Sequence, residues 1–125
     1  MARKLFTVDE ANALLPRLRS LLEQLFAIRN EALALRPEVW PALEKAVGNG
    51  GSRKTGELIF LFRRFEAVVR QIQSLGCLLK DVERGLIDFP SWRKNREVYL
   101  CWAYGEKRVA FWHDVEAGFA GRQPL

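Results

Sequence analysis

The single histidine of this chain, His113, is followed directly by Asp114, and this pair is the first candidate for chemistry. An imidazole near carboxylates can act as a general acid or base, or it can bind a metal ion. Neighbouring residues of a strand point to opposite faces, so the two side chains do not form a dyad with each other. Partners have to come from Asp81, Asp88, Glu97 or Glu116. The alternative is a histidine that only completes hydrogen bonds near the edge of a sheet.

Asp88 is the second candidate, because it lies between Ile87 and Phe89 in a predicted strand. A carboxylate that faces the interior needs a partner, and Arg122 or Arg96 can supply two parallel hydrogen bonds. Such a pair would either fasten the C-terminal tail or contact an anion. The candidates for catalysis are His113, Asp88 and Asp114, the candidate for metal binding is His113, and the candidates for ligand binding are Arg122, Trp102 and Asp81.

The sequence lacks the usual motifs of zinc sites, phosphate-binding loops and nucleophile elbows. Cys77 and Cys101 are far apart and have no C-x-x-C spacing, so reduced, buried thiols are favoured over a disulfide or a zinc motif. The Gly-rich stretch 48–51 lacks the G-K-[ST] ending of a phosphate-binding loop, and no nucleophile elbow is present. No cofactor is predicted, and whether the protein is an enzyme stays open.

The composition indicates one globular domain of 125 residues. The net charge of +5, from 20 basic and 15 acidic residues, leaves room for a small anionic ligand but argues against a dedicated nucleic-acid binder. The aromatic residues of the C-terminal quarter are better explained as core or interface than as a platform for bases. Without a visible signal peptide or an apolar run of membrane length, a cytoplasmic protein with no membrane contact is expected.

The N-terminal half of the chain has the pattern of a long helix. Thr7 and Glu10 have the spacing of a capping box that begins this helix, and Pro16 is expected to bend it. Apolar residues then recur at alternating steps of four and three, which predicts a heptad seam. The seam consists of Leu14, Leu18, Leu21, Leu25, Ile28, Ala32 and Leu35. Arg36-Pro37 is expected to end the regular pattern.

A second helix with a matching seam is predicted at 54–75. Its seam consists of Leu58, Leu61, Phe65, Val68, Ile72 and Leu75. Residues 38–47 could form a short helical piece, and the Gly-rich residues 48–52 form a loop in which the chain reverses. Two helices with matching seams and such a loop between them predict an antiparallel helical hairpin.

After Gly76 the apolar period changes from 3.6 to 2, which predicts a small antiparallel sheet. About four strands are expected, at 77–80, 86–89, 97–104 and 109–113. Pro90 is expected to end the second strand, residues 91–96 to form a loop, and the tail from 118 to be irregular. The turn at 105–108 decides the faces of the sheet. An even number of turn residues places His113 on the face of Trp102, and an odd number places it on the face of Cys101.

Long strings of the chain carry a family resemblance, for example E-A-N-A-L-L-P at 10–16 and G-F-A-G-R-Q-P-L at 118–125. Further strings lie at 6–7, 76–81, 85–90, 97–102 and 112–114. Together they resemble a prokaryotic family known as domain of unknown function 2203. The resemblance covers essentially the whole chain and implies a small bacterial or archaeal cytoplasmic protein without an assigned activity. The basic middle of the chain, with Pro37 and Pro41, departs from the family pattern.

The expected fold is therefore α+β, with one domain at 1–125, a helical hairpin at 1–75 and the sheet with its tail at 76–125. The two long helices and the sheet, which has no clearly polar face, carry more apolar surface than such a monomer can bury. A non-catalytic interaction module that forms a homodimer through coiled-coil helices or a sheet face is the first hypothesis. The alternative is a small enzyme or a ligand- or metal-binding protein with a polar pocket between the sheet and the tail, around His113.

Overall fold

The computed structural model describes residues 4–35 and 53–125, with side chains from Gly56 onward in the second range. Three sequence predictions lie outside the described residues. They are the helix end at Arg36-Pro37, the short helical piece at 38–47 and the loop at 48–52.

Within the described residues, three α-helices precede the sheet: α1 (Val8–Ala13), α2 (Leu15–Leu35) and α3 (Arg53–Ser74). The capping box is confirmed, because the Thr7 amide donates to Glu10 Oε1 over 2.8 Å and the Glu10 amide donates to Thr7 Oγ1 over 3.1 Å. The bond from the Thr7 amide is also the main reason why the pKa of Glu10 is lowered. None of the helices within the described ranges is both long and apolar enough to cross a membrane.

The predicted bend at Pro16 is present as a break between α1 and α2. Proline has no amide hydrogen and its ring crowds the preceding turn, so regular α-helical bonding cannot pass through it. The Leu14 amide instead donates to the Ala11 carbonyl over 3.1 Å, a bond to the third residue back that tightens the turn. The break leaves the Asn12 side chain near the sheet, where its Oδ1 accepts from the Val109 amide at 2.8 Å.

Helices α2 and α3 pack on each other and on the sheet. The predicted seam of α2 is buried at Leu18, Leu21, Leu25, Ile28 and Ala32. Four residues of α3 belong to the same core: Leu61, Phe62, Val68 and Ile72. Near the C-terminal end of α2, Glu31 pairs with Arg64 of α3 at 2.8 Å. The antiparallel hairpin itself stays a prediction, because its connection falls in residues 36–52.

The sheet is antiparallel, and its five strands lie side by side in chain order. They are β1 (Leu78–Asp81), β2 (Leu86–Arg93), β3 (Arg96–Ala103), β4 (Phe111–Asp114) and β5 (Gln123–Pro124). The α+β class is confirmed, and the expected count of about four strands is corrected to five. The additional strand comes from the tail, which was wrongly expected to be irregular. It contains a 3₁₀ turn at Phe119–Gly121 and then pairs with β4 over only two residues, too few to leave a periodic pattern.

The expectation that Pro90 ends β2 was wrong, because β2 continues to Arg93. Proline cannot donate to a neighbouring strand, so it is tolerated where no strand needs its donor. Strand β1 pairs with β2 only as far as Asp88, so no β1 neighbour is left beside Pro90. The N-terminal segment takes that side instead, since the Phe6 amide donates to the Pro90 carbonyl over 2.7 Å and Ser91 Oγ donates to the Phe6 carbonyl over 2.6 Å.

The predicted loop at 91–96 is also corrected, since it is largely strand with a two-residue turn at Lys94 and Asn95. These are the two non-glycine residues with positive φ among those described, at 54° and 61°. Two consecutive residues in this conformation match the right-handed twist of a hairpin. The turn lacks the Asn-Gly or Asp-Gly pair that signals such a hairpin, which explains why the sequence suggested a loop.

The inner face of the sheet supports the helices. Its residues in the common core are Ile87, Phe89, Val98, Leu100, Trp102 and Trp112. The alternate residues of the same strands point to the opposite face, called the outer face here. It includes Asp88, Pro90, Tyr99, Cys101, Phe111 and His113. Most of these are buried as well, so the outer face is not a plain solvated surface.

Candidate metal centre

The loop between β3 and β4 decides which residues share a face. It comprises residues 104–110, an odd number, so the second of the two predicted arrangements is realised. Tyr99 pairs with His113, Cys101 pairs with Phe111, and Asp88 lies opposite Cys101 on β2. Because residues opposite each other share a face, Asp88, Cys101 and His113 all project from the outer face.

The imidazole of His113 is held at both of its nitrogen atoms. Nδ1 lies 2.7 Å from the carbonyl oxygen of Asp114, and Nε2 lies 3.1 and 3.2 Å from the two carboxylate oxygens of Asp88. The side chains of His113 and Asp88 are only 2% and 3% exposed. A carbonyl oxygen can only accept, so Nδ1 carries a hydrogen and donates it to Asp114. The Asp114 carbonyl thus excludes the neutral tautomer whose only ring hydrogen is on Nε2.

This arrangement brings two acceptors face to face. A neutral imidazole with its hydrogen on Nδ1 presents a lone pair at Nε2, and an ionised Asp88 carboxylate also presents only lone pairs. At 3.1 Å these atoms repel each other unless a cation lies between them. A proton fills this role in an imidazolium–carboxylate pair or in an imidazole–carboxylic acid pair. A metal ion is the alternative, because it accepts a lone pair from each group.

Cys101 adds a third donor to the pair. Its thiol is fully buried, and burial, followed by the nearby charge of Asp88, raises its pKa to about 12. Cys101 Sγ, one Asp88 oxygen and one His113 nitrogen lie within 4.8 Å of one another. The thiol therefore keeps its proton at neutral pH when no metal is present, and a metal ion has to displace that proton to bind the thiolate.

The three donors fit one transition-metal ion. Bond lengths to zinc of about 2.0–2.3 Å place the donors of a tetrahedral ion about 3.3–3.8 Å apart. The mutual limit of 4.8 Å means that small side-chain rotations bring all three to one centre. The hydrogen bond from His113 Nδ1 to a backbone carbonyl is also the usual support of a metal-binding histidine, because it directs Nε2 at the ion.

Lys80 reaches the cluster from a β-bulge in β1. Leu79 pairs with Ile87 and Asp81 pairs with Leu86, so Lys80 is the extra residue between two pairs. Its Nζ lies 3.9 Å from Asp88 Oδ2 and 4.8 Å from the centre of the Tyr99 ring. The Lys80 side chain is 41% exposed, whereas the carboxylate that it faces is buried.

Arg122 of the tail lies over the outer face beside Cys101. Its guanidinium stacks 4.1 Å from the Phe111 ring centre and 4.7 Å from that of Phe119. Its Nη2 donates to Glu106 Oε1 over 2.8 Å and to the Cys101 carbonyl over 3.4 Å. The expected pair between Asp88 and Arg122 is therefore replaced by a pair with Glu106, which fastens the tail. An anion at Arg122 would have to compete with the Glu106 carboxylate.

The other predicted site residues lie away from the cluster. The Asp114 carboxylate pairs with Arg96 at 2.7 Å on the inner side, so only its carbonyl serves His113. Asp81 accepts from the Arg84 amide in the β1–β2 turn. Trp102 is fully buried against the helices, and its Nε1 donates to the Glu106 carbonyl over 2.9 Å. Asp88 and His113 thus meet as the sequence suggested, while Asp114, Asp81, Trp102 and Arg122 hold structural contacts.

Two members of the site were missed in the sequence. Cys101 was interpreted only as a reduced, buried thiol, although the odd-turn arrangement already placed it on the face of His113. Lys80 was passed over because a bulge leaves no mark in a strand of four residues.

Comparison with known protein families identifies one match. A family model described as "Uncharacterized conserved protein (DUF2203)" matches residues 4–125. The chain belongs to this family. The membership confirms the resemblance found in the sequence and extends over all five strands and the described helices of the DUF2203 protein. No curated protein and no solved structure matches this chain significantly.

Proposed function

We propose that this DUF2203 protein binds a divalent transition-metal ion through Asp88, Cys101 and His113. The observation that carries the proposal is the convergence of three buried donors: His113 Nε2 lies 3.1 Å from Asp88 Oδ1, and Cys101 Sγ belongs to the same group of ligand atoms within 4.8 Å of one another. A proton alone satisfies the His113–Asp88 pair, whereas a metal ion can also use Cys101 as a third ligand within reach. This favours the ligand- or metal-binding alternative of the sequence analysis over a non-catalytic interaction module.

The donor set selects the class of metal. Nitrogen and thiolate sulfur are ligands for zinc, iron and cobalt, whereas magnesium and calcium prefer sites built from oxygen. Three protein ligands leave one position of a tetrahedral ion for water or another molecule. The near-complete burial of the donors supports a closed centre that stabilises the outer face.

Titration of metal-free protein with Co²⁺ tests the proposal. We expect one equivalent to bind, with the visible absorption of a cobalt–thiolate centre and a rise in the unfolding temperature. At a free ion concentration of 100 times Kd, binding adds about 2.7 kcal/mol to the free energy of unfolding. Zn²⁺ is expected to displace the cobalt and remove the colour, whereas Mg²⁺ is not.

Matched cysteine variants identify the ligand. Cys101→Ser and His113→Ala are each expected to weaken Co²⁺ binding by more than about 100-fold, because loss of a direct ligand exceeds the effect of an outer partner. Cys77→Ser is the control, since its thiol is also buried but donates to the Ile72 carbonyl at 3.4 Å, away from the cluster. Absence of binding in the unaltered protein, or equal losses in the two cysteine variants, would contradict the proposal.

We also propose self-association as a second candidate, as the apolar excess in the sequence suggested. Phe60 on α3 supports it, because this side chain is 62% exposed on a helix whose opposite side is buried. Sedimentation velocity at micromolar concentration checks it, and a dimer that Phe60→Ser converts to monomer is the expected result. A strict monomer at that concentration removes the candidate, with no consequence for the metal centre.

A further inference from the structure

A metal ion can reach the buried donors only past a side chain that moves. Asp88, Cys101 and His113 are at most 2% exposed as residues. Two cationic side chains lie over this part of the outer face, Lys80 next to Asp88 and Arg122 next to Cys101. One of these two side chains has to move before a metal ion can reach the donors.

Arg122 is held by several contacts at once. Its guanidinium lies over two aromatic rings and pairs with Glu106 at 2.8 Å, and its side chain is only 14% exposed. Its backbone also leads directly into β5, which pairs with β4. Moving Arg122 would break these contacts together, so it is a poor route.

Lys80 has far weaker attachments. Its ion pair with Asp88 is long, at 3.9 Å, and its contact with the Tyr99 ring is 4.8 Å. The side chain is 41% exposed, so it can turn into solvent at little cost. The bulge also leaves Lys80 without a cross-strand partner, since the pairs on either side are formed by Leu79 and Asp81.

We propose that Lys80 is a displaceable counter-ion that sets the metal affinity of the cluster. This inference rests on the proposed metal binding. The ammonium partly neutralises Asp88 when no metal is present, and it repels a divalent cation that approaches the same carboxylate. Binding of the metal then requires Lys80 to swing away from Asp88 and Tyr99 into solvent. The residue acts through Asp88 and is not itself a ligand.

Removal of the charge at position 80 is therefore expected to tighten binding. Two unit charges at about 4 Å in water interact by an amount that corresponds to roughly a fivefold change in affinity, and the double charge of the ion increases it. We expect Lys80→Gln to lower the Co²⁺ Kd by about 5-fold or more. The difference from the unaltered protein shrinks as KCl is added, because the exposed charge is screened.

Three proteins make the comparison decisive. Lys80→Arg keeps the charge and is expected to leave Kd within about twofold. Lys107→Gln removes an exposed lysine of the β3–β4 loop, and it controls for the change in net charge. An unchanged or weaker Kd in Lys80→Gln, or equal tightening in Lys107→Gln, overturns the inference while metal binding stands. Failure of the unaltered protein to bind Co²⁺ at all overturns the proposed function, and the inference with it.

Discussion

Replacement of Asp88 by alanine is expected to lower the free energy of unfolding of the metal-free protein by about 3–5 kcal/mol, the cost of leaving one partner of a buried pair alone. The carboxylate is 3% exposed and is bonded to His113 Nε2 at 3.1 Å. Without it, the ring nitrogen is buried with no partner, and the proton that the pair shares has no place. Urea denaturation in the presence of a chelator measures the change.

Asp88→Asn is the matched variant. Its amide group can donate to the Nε2 lone pair of the same His113 tautomer, so a loss of only about 1–2 kcal/mol is expected. Asp81→Ala removes an exposed carboxylate that pairs with Arg84 at 3.8 Å, and it is expected to change stability by less than about 1 kcal/mol. If Asp88→Ala cost no more than Asp81→Ala, the buried pair would not exist as described.

Trp102→Ala is expected to cost a similar amount, about 3–5 kcal/mol, because it empties a large volume in the core between sheet and helices. Trp102 is fully buried, and the Arg19 guanidinium lies 5.8 Å from its ring centre on the helix side. Trp92 provides a control with the same side chain. It lies 60% exposed on β2, so Trp92→Ala is expected to change stability by less than about 0.5 kcal/mol.

A third variant, Trp102→Phe, measures the contribution of the indole hydrogen bond. Trp102→Phe retains most of the volume but loses the Nε1 hydrogen bond to Glu106, for an expected cost of about 1–2 kcal/mol. Urea unfolding monitored by circular dichroism gives all three values. A Trp102→Ala protein as stable as the original would show that the side chain is not part of the core.

Much of the helical part could be predicted because its determinants are local. The capping box at Thr7 and Glu10 and the interruption at Pro16 depend on residues within one or two turns. The buried seam of α2 follows directly from apolar spacing. These features need no knowledge of distant parts of the chain, and the structure agrees with them.

The sheet was predicted less well because its details depend on non-local pairing. Strand β2 continues through Pro90 only because β1 has ended and the segment around Phe6 lies beside Pro90 instead. The two-residue β5 exists only through its pairing with β4. Neither pairing can be predicted from the residues of the strand alone. The strand ends and the number of strands therefore had to be corrected.

The candidate site depended on the number of residues in the β3–β4 loop, which the sequence left undecided. An odd loop between β3 and β4 joins His113 with Cys101, and an even loop would have separated them. Asp88 was one of four carboxylates suggested as partners of His113, and the structure brings these two side chains together. The bulge that presents Lys80 depends on how β1 and β2 pair and could not be read from β1 alone.

The N-terminal segment has a consequence for how the chain folds during synthesis. Its contacts join residues separated by 85 positions at Phe6 and Ser91, 88 at Arg19 and Lys107, and 97 at Asn12 and Val109. Such contacts raise the contact order and slow the formation of the native state. On the ribosome, helices α1 and α2 can form early, but they wait for the β3–β4 loop to emerge before they acquire their final neighbours. These long-range contacts are therefore completed only after Val109 has left the ribosome.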